Sequence, residues 1–295
     1  LNTKSKITGL SRRAIFRIFI ICSCLMCLQA CSSKLAYNNI DWWIHWYVDD
    51  YIEFTEEQEN SFDGYLAQWL DWHKQNELAL YEAQLKEINT EIDERSLDFN
   101  RIIDHFERAK SHWERVQTHI SPDLAKLAST LTNEQIVAFF AALEKENKKN
   151  QEELNEQQAK PLAEQLKSRR EKIEENIEKR VGNLNAEQKQ IIATYVEQYI
   201  PTKKMWVAYQ RNIQSAARKL FAGRAFNANF EQDLVAIMTN PDQFKSAQYI
   251  QASKHNMKLT ATMIAELLTT LSNKQRGKLK QSVDELIETV ASFQQ

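Results

Sequence analysis

The chain has 295 residues, with 38 Lys and Arg against 40 Asp and Glu and a formal charge of −2, so no global charge excess recommends a polyanionic partner. It holds five glycines and four prolines, too few for the many turns of a β sandwich or barrel. Apolar residues recur at spacings of three and four, and the fold class this predicts is all-α: an antiparallel multi-helix bundle with one long, partly coiled-coil helix.

In chain order, residues 1–30 read first, as an export signal. Lys4, Lys6, Arg12, Arg13 and Arg17 come without any acid, an apolar run from Ile18 to Leu28 follows, and "LQAC" ends at Cys31. The apolar run, about eleven residues, is shorter than the roughly twenty that span a bilayer. "LQAC" resembles the bacterial lipobox. That resemblance implies cleavage between Ala30 and Cys31 and a covalent lipid on the Cys31 sulfur. An Asp after the lipidated cysteine would imply retention in the inner membrane, so Ser32 favours the outer membrane. The Arg12-Arg13 pair sits in a context that fits the export route for folded proteins poorly. Cys22, Cys24 and Cys27 leave with the signal and Cys31 is consumed by lipid, which leaves no thiol for a disulfide, a zinc site or a nucleophile. Losing the five leader bases takes the formal charge from −2 to −7. Residues 31–35 are then a lipidated tether and residues 36–295 a helical periplasmic domain, with a subdivision near 144–184.

The stretch "LAYNNIDWWIHWYVDD", Leu35 to Asp50, opens that domain. On a helical wheel Ile40, Trp42, Trp43, Ile44, Trp46, Tyr47, Val48 and Tyr51 cover an arc of about 200°, and Asp41, His45, Asp49 and Glu53 fill the rest. Two readings stay open. The aromatics dock onto the bundle as core, or Trp42, Trp43, Trp46 and Tyr47 contact a membrane or a partner. Amphipathic rings are favoured at headgroup level, and a tether of eleven residues reaches about 36–40 Å. Asp50 falls within the arc and reads as a structural acceptor for Trp and Tyr donors. A second group, Tyr65, Trp69, Trp72 and His73, packs against the first or lines an aromatic cleft.

Further along, "FTEEQ" at Phe54, "LTNEQ" at Leu131, "LNAEQ" at Leu184 and "LSNKQ" at Leu271 share one pattern. An apolar residue precedes Thr, Asn or Ser, and Gln follows three residues later. This is a capping box: the side chains of Thr55, Thr132, Asn185 and Ser272 accept from first-turn amides, and Gln58, Gln135, Gln188 and Gln275 reach back to the cap amide. Helices are expected near 36–53, 56–92, 97–119, 122–130, 133–180, 186–222, 230–238, 241–270 and 273–293. Pro122 and Pro241 are expected at first helical positions, and Pro161 and Pro201 to kink or break theirs. Leu162, Leu166, Ile173 and Ile177 mark either a partly coiled segment or the buried stripe of an ordinary bundle helix.

His105, His112 and His119 recur every seven residues, about 10.5 Å along a helix, so neighbours do not share one metal. Phe106, Trp113 and Ile120 have the same period and are expected to mark the buried seam, with the histidines at its edge. From Thr202 to Asn229 there is no acid. Lys203, Lys204, Arg211, Arg218 and Lys219 share one helical face, opposite Met205, Trp206, Tyr209, Ile213, Ala216 and Leu220. That basic face is either a solvated side of the bundle or a binding face for an anionic surface or acidic partner. No catalytic motif, metal motif, nucleotide loop or nucleic-acid module is present.

"CSSKLAYNNIDWWIHWYVDDYIEFTEEQ", Cys31 to Gln58, resembles an uncharacterised family of proteobacterial lipoproteins, a domain of unknown function. That resemblance implies a helical lipoprotein facing the periplasm. "LTNEQ" also resembles the L-T-x-x-Q motif of Spy-like periplasmic chaperones, which implies a helical body that binds unfolded clients or senses envelope stress; Phe54, Asn185 and Ser272 depart from it. The expected function is a non-enzymatic interaction or chaperone-like envelope factor, anchored to the outer membrane and facing the periplasm. The alternative is a structural or assembly subunit of one envelope complex. The expected cofactor list is empty apart from the covalent lipid on Cys31, with no metal; the expected partners are the membrane and a protein, not nucleic acid.

Overall fold

The computed structural model describes residues 40–294, and among them every regular element is helical. In order these are α1 (Ile40–Asp49), α2 (Glu56–Asn76), α3 (Leu78–Glu94), α4 (Phe99–Ser129), α5 (Asn133–Ala159), α6 (Leu162–Val181), α7 (Ala186–Val196), α8 (Lys203–Gly223), α9 (Phe230–Thr239), α10 (Ala247–Thr270) and α11 (Asn273–Phe293), with 3₁₀ turns at Arg224–Phe226 and Pro241–Phe244. The expected export signal, Cys31 and the expected tether lie outside the described residues. No helix among the described residues is long and apolar enough to cross a membrane.

All four expected capping boxes form. Thr55, Thr132, Asn185 and Ser272 accept from the backbone N–H three residues on, and the Gln at that position accepts from the cap N–H. Each box satisfies two helix-end donors and stabilises its helix by about 1 kcal/mol. The apolar residue before the cap is buried in three cases, Leu131, Leu184 and Leu271.

Proline decides the breaks, though not uniformly. Pro161 has no N–H and drives the preceding residue out of helical space. Lys160 is extended, and the expected 133–180 helix is two helices, α5 and α6. The 186–222 stretch likewise divides into α7 and α8 around Pro201. Pro122, expected to begin a helix, instead lies inside the 31-residue α4. The Ser121 hydroxyl donates to the Gln117 carbonyl at 2.6 Å rather than capping. Ile120, Leu124 and Leu127 pack into one core cluster from both sides of the proline, and that shared burial keeps the two halves in one continuous helix. The expected 56–92 helix turns at Glu77, whose carboxylate is buried between helices, so α2 and α3 meet there. Pro241 opens only a 3₁₀ turn, and α10 starts six residues later from Ser246.

Two lobes of core result. One is built on Phe62, Leu66, Trp69 and Leu127, with Ile44 and Val48 of α1 against it, and continues through Phe140, Phe221, Phe230 and Leu234. The other is built on Val181, Leu184, Ile192, Val196, Met263, Leu267 and Leu271. Leu166, Ile173 and Ile177 pack onto this second core, as the buried stripe of a bundle helix does, while Leu162 is exposed. Helix α3 packs along α11, and α4 along α9 and α10, which joins the lobes.

Candidate functional site

Three features of the surface and interior carry chemistry. The first is α1. Its contact with the body is narrow: Ile44 and Val48, one turn apart, enter the core, and His45 Nε2 lies 2.9 Å from Asp63 Oδ1 with its ring edge-on to Phe62. The remaining aromatic face is open. Trp42, Trp43, Trp46 and Tyr47 are 58%, 50%, 56% and 60% exposed. They touch mainly one another, Trp42 on Trp43 at 4.8 Å and Trp43 on Trp46 at 6.2 Å. Tyr47 also meets Tyr51, whose hydroxyl is pushed up to about 12 by its hydrogen bond with Tyr47 and by burial. The core reading of this aromatic arc is therefore replaced. His45, expected on the polar side, faces inward, and Asp50 is exposed rather than a buried acceptor.

The second aromatic group is closed onto α4. Tyr65 stacks on Trp69, Trp69 Nε1 donates to Asp123 Oδ2 at 3.0 Å, and Trp72 stacks on His119 at 4.0 Å. No aromatic cleft opens there.

The second feature is a polar seam between α3 and α4. Glu77, Gln84 and Glu91 are seven residues apart and face His105 and His112, also seven apart, flanked by Arg101, Arg108 and Arg115. Arg115 donates to Glu77 through Nε at 2.6 Å and Nη2 at 2.9 Å, and His112 Nδ1 lies 3.0 Å from Glu77. Gln84 Nε2 donates to the His105 carbonyl at 2.9 Å, which fixes the amide. Gln84 Oε1 then accepts from His112 Nε2 at 2.8 Å. His105 Nδ1 faces the same amide donor and so accepts, leaving the proton on Nε2 to bond Glu91 at 2.9 Å. Arg101 Nε donates to Glu91 at 2.6 Å, and Arg101 and Arg108 both bond Glu87.

Electrostatics follow this geometry. Burial pushes the Glu77 carboxyl up, but the hydrogen bonds from Arg115 and His112 together outweigh it and hold the group below its ordinary value. Glu87 is held low mainly by Arg108. Burial lowers His73, against the raising effect of Glu77. Glu87, Glu91 and His105 bring one ligand atom each within 4.8 Å of one another. Arg101 and Arg108 already neutralise those carboxylates, and His105 presents a proton to Glu91, so the cluster is arranged as an ion-pair seam. The expectation that Phe106, Trp113 and Ile120 mark the buried row is corrected in part: Ile120 packs into the core and Phe106 is half-buried, but Trp113 is exposed and His105 is buried. The glutamates and Gln84 on α3 supply the partners that let the histidine row turn inward. Their own period of seven was the signal available in the sequence.

The third feature is the basic helix α8, and part of its charge is spent on α5. Lys203 meets Asn150 at 3.3 Å and Glu153 at 3.6 Å and lies over Trp206; Arg211 meets Glu144 at 3.6 Å; Arg218 lies over the Phe140 ring. Lys204 and Lys219 are exposed. Lys203 and Lys204 line a groove of about 870 Å³ beside the breaks at Pro161 and Pro201.

Compared with known proteins, the chain matches the profile of a family of unknown function (DUF6279) over residues 50–250, more than half its length. That span includes α2 to α9 and the seam, and it begins after Trp42, Trp43, Trp46 and Tyr47. No match was found among the curated proteins or the solved structures.

Proposed function

This chain belongs to the DUF6279 family, and from that premise we propose that it is a non-enzymatic lipoprotein of the outer membrane, facing the periplasm, whose aromatic foot rests on the bilayer while the helical body serves as an interaction or chaperone-like factor. One observation carries the reading. Trp42, Trp43, Trp46 and Tyr47 stand exposed on a helix whose opposite side is docked, and that helix begins nine residues after Cys31. Nine residues of extended chain span roughly 30 Å, so an acylated Cys31 would keep these rings within reach of the headgroups. Trp and Tyr gain there because an apolar ring and a polar N–H or O–H are both accommodated. Diacylglycerol on Cys31 would hold the chain at a bilayer by itself, since two acyl chains anchor stably, and the rings would add a second, orienting contact at the headgroups. The reading of "LQAC" as a lipobox supplies the first contact and the tryptophans the second.

The test is mass spectrometry of the full chain expressed with its own leader in a Gram-negative host. The expected product starts at an acylated Cys31 and sediments with outer membranes; Cys31→Ala keeps residues 1–30 and carries no acyl group. A wild-type product that keeps residues 1–30 without lipid overturns the proposal. Suppression of aggregation of unrelated clients by the purified chain separates a chaperone-like role from docking on one complex.

A further inference from the structure

We propose that the groove between α5, α6, α8 and α10 binds an acidic peptide segment in extended conformation. The helical text is interrupted three times around it, at Pro161, at Pro201 and before Ser246, and these interruptions leave a channel of about 870 Å³ in the bundle wall. Its lining holds three cations, Arg169 on α6 and Lys203 and Lys204 on α8, and no carboxylate among the described residues. In a chain with more acids than bases this is a local inversion of sign. Lys203 is shared with Glu153, which lies just outside the lining. Arg169 is half-buried and Lys204 exposed, and neither has an ion-pair partner among the described residues. A half-buried cation without an anion forfeits hydration without compensation, so the groove favours a negative guest.

The rest of the lining selects among anions. Leu154, Ile200 and Met205 give an apolar side. The side-chain amides of Gln157, Gln158 and Gln248 make no hydrogen bond to the protein among the described residues, whereas those of Gln165 and Asn256 are committed to the carbonyls of Lys160 and Ile200. Free carboxamides pair with peptide N–H and C=O groups, and the apolar side accepts alternate side chains of an extended strand. A lone inorganic anion uses none of these. The start of α8 also lacks a side-chain cap, so its first-turn amides add positive potential at the same edge.

The experiment is fluorescence anisotropy on the detergent-solubilised full chain. The probes are a labelled peptide alternating Glu with Leu, the same peptide with Gln for Glu, and inorganic phosphate as competitor. The acidic peptide is expected to bind in a salt-sensitive way and the Gln peptide not to bind. R169E/K204E is expected to weaken binding by about tenfold or more, R169Q/K204Q by less, and K126E/K148E, reversals outside the groove, not at all. Circular dichroism checks that each variant is folded. Absence of acidic-peptide binding, equal binding of the Gln peptide, or an affinity unchanged in both groove variants overturns the proposal. Full displacement by inorganic phosphate at constant ionic strength overturns it too, by assigning the groove to a small anion. None of these readouts depends on Cys31, so failure here is distinguishable from failure of the lipoprotein reading.

Discussion

Gln58 and Gln135, 77 residues apart, hold each other by reciprocal side-chain bonds. Gln135 Nε2 donates to Gln58 Oε1 at 2.7 Å and Gln58 Nε2 donates to Gln135 Oε1 at 3.2 Å. Each Nε2 also reaches the carbonyl two residues before the other's cap, Thr130 O and Glu53 O. Gln188 and Gln275 repeat the arrangement in the other lobe with Thr270 O and Asn183 O. One side chain thus closes a helix start and ties it to a distant one.

Replacing these glutamines should destabilise by more than a lost cap. Gln188 is fully buried, so Gln188→Ala strands several polar groups and is expected to cost about 2–3 kcal/mol in urea unfolding. Gln275→Ala, at a half-buried position, should cost less. A double-mutant cycle on Gln58 and Gln135 should return a coupling of about 1 kcal/mol; strict additivity would refute the brace.

Glu77 is 1% exposed, accepts two hydrogen bonds from Arg115 and has His112 Nδ1 at 3.0 Å. Glu77→Ala removes the anion and leaves the Arg115 guanidinium and the His112 ring facing each other without it. A loss of about 2–3 kcal/mol is expected, at the low end for a buried pair because Arg115 still reaches water. Arg115→Ala should be milder than Glu77→Ala, and the reverse order in thermal or urea melts would contradict the seam.

Acid should weaken the fold in two stages. His73 has its folded value lowered by burial, so below its ordinary 6.5 the unfolded chain takes up the proton first and stability falls. Glu77, also held low, contributes stability that is complete above its ordinary 4.5 and is lost as pH drops through its folded value. In urea melts across pH, His73→Gln should flatten the upper stage and leave the lower one.

The aromatic foot should be dispensable for folding. W42A/W43A/W46A removes exposed rings and should leave the unfolding midpoint within about 0.5 kcal/mol of the parent. Vesicle partitioning of a chain starting at Ser32, without leader or lipid, should fall in the same variant. Val48→Asp, by contrast, places a charge in the α1 contact and should release that helix, read as a gain in tryptophan mobility by fluorescence anisotropy.

How far these features were legible in the sequence depends on where their partners lie. The capping boxes are local, four residues each, and all four were readable. The braces were not, because nothing in "LTNEQ" names the distant "FTEEQ" as its neighbour. Pro161 and Pro201 broke their helices as their chemistry predicts. Pro122 did not, because flanking apolar residues hold both halves of α4 in one core. The histidine row was visible as a period of seven, but its burial depends on carboxylates from another helix, and single-helix patterning assigns polar residues outward. The aromatic arc left two readings open for a related reason. Two aliphatic side chains one turn apart are enough to seat a ten-residue helix, and the large rings are left over.

That economical seat has a mechanical corollary. Among the described residues, Ile44, Val48, the His45–Asp63 contact and the His45 ring on Phe62 hold α1 to the body, and the chain turns immediately after it, with Tyr51 and Ile52 both donating to the Val48 carbonyl. The amides of α1 should trade hydrogen for deuterium well before those of α2, whose Phe62, Leu66 and Trp69 are buried. A seat this small would let α1 reorient without disturbing the packed helices behind it.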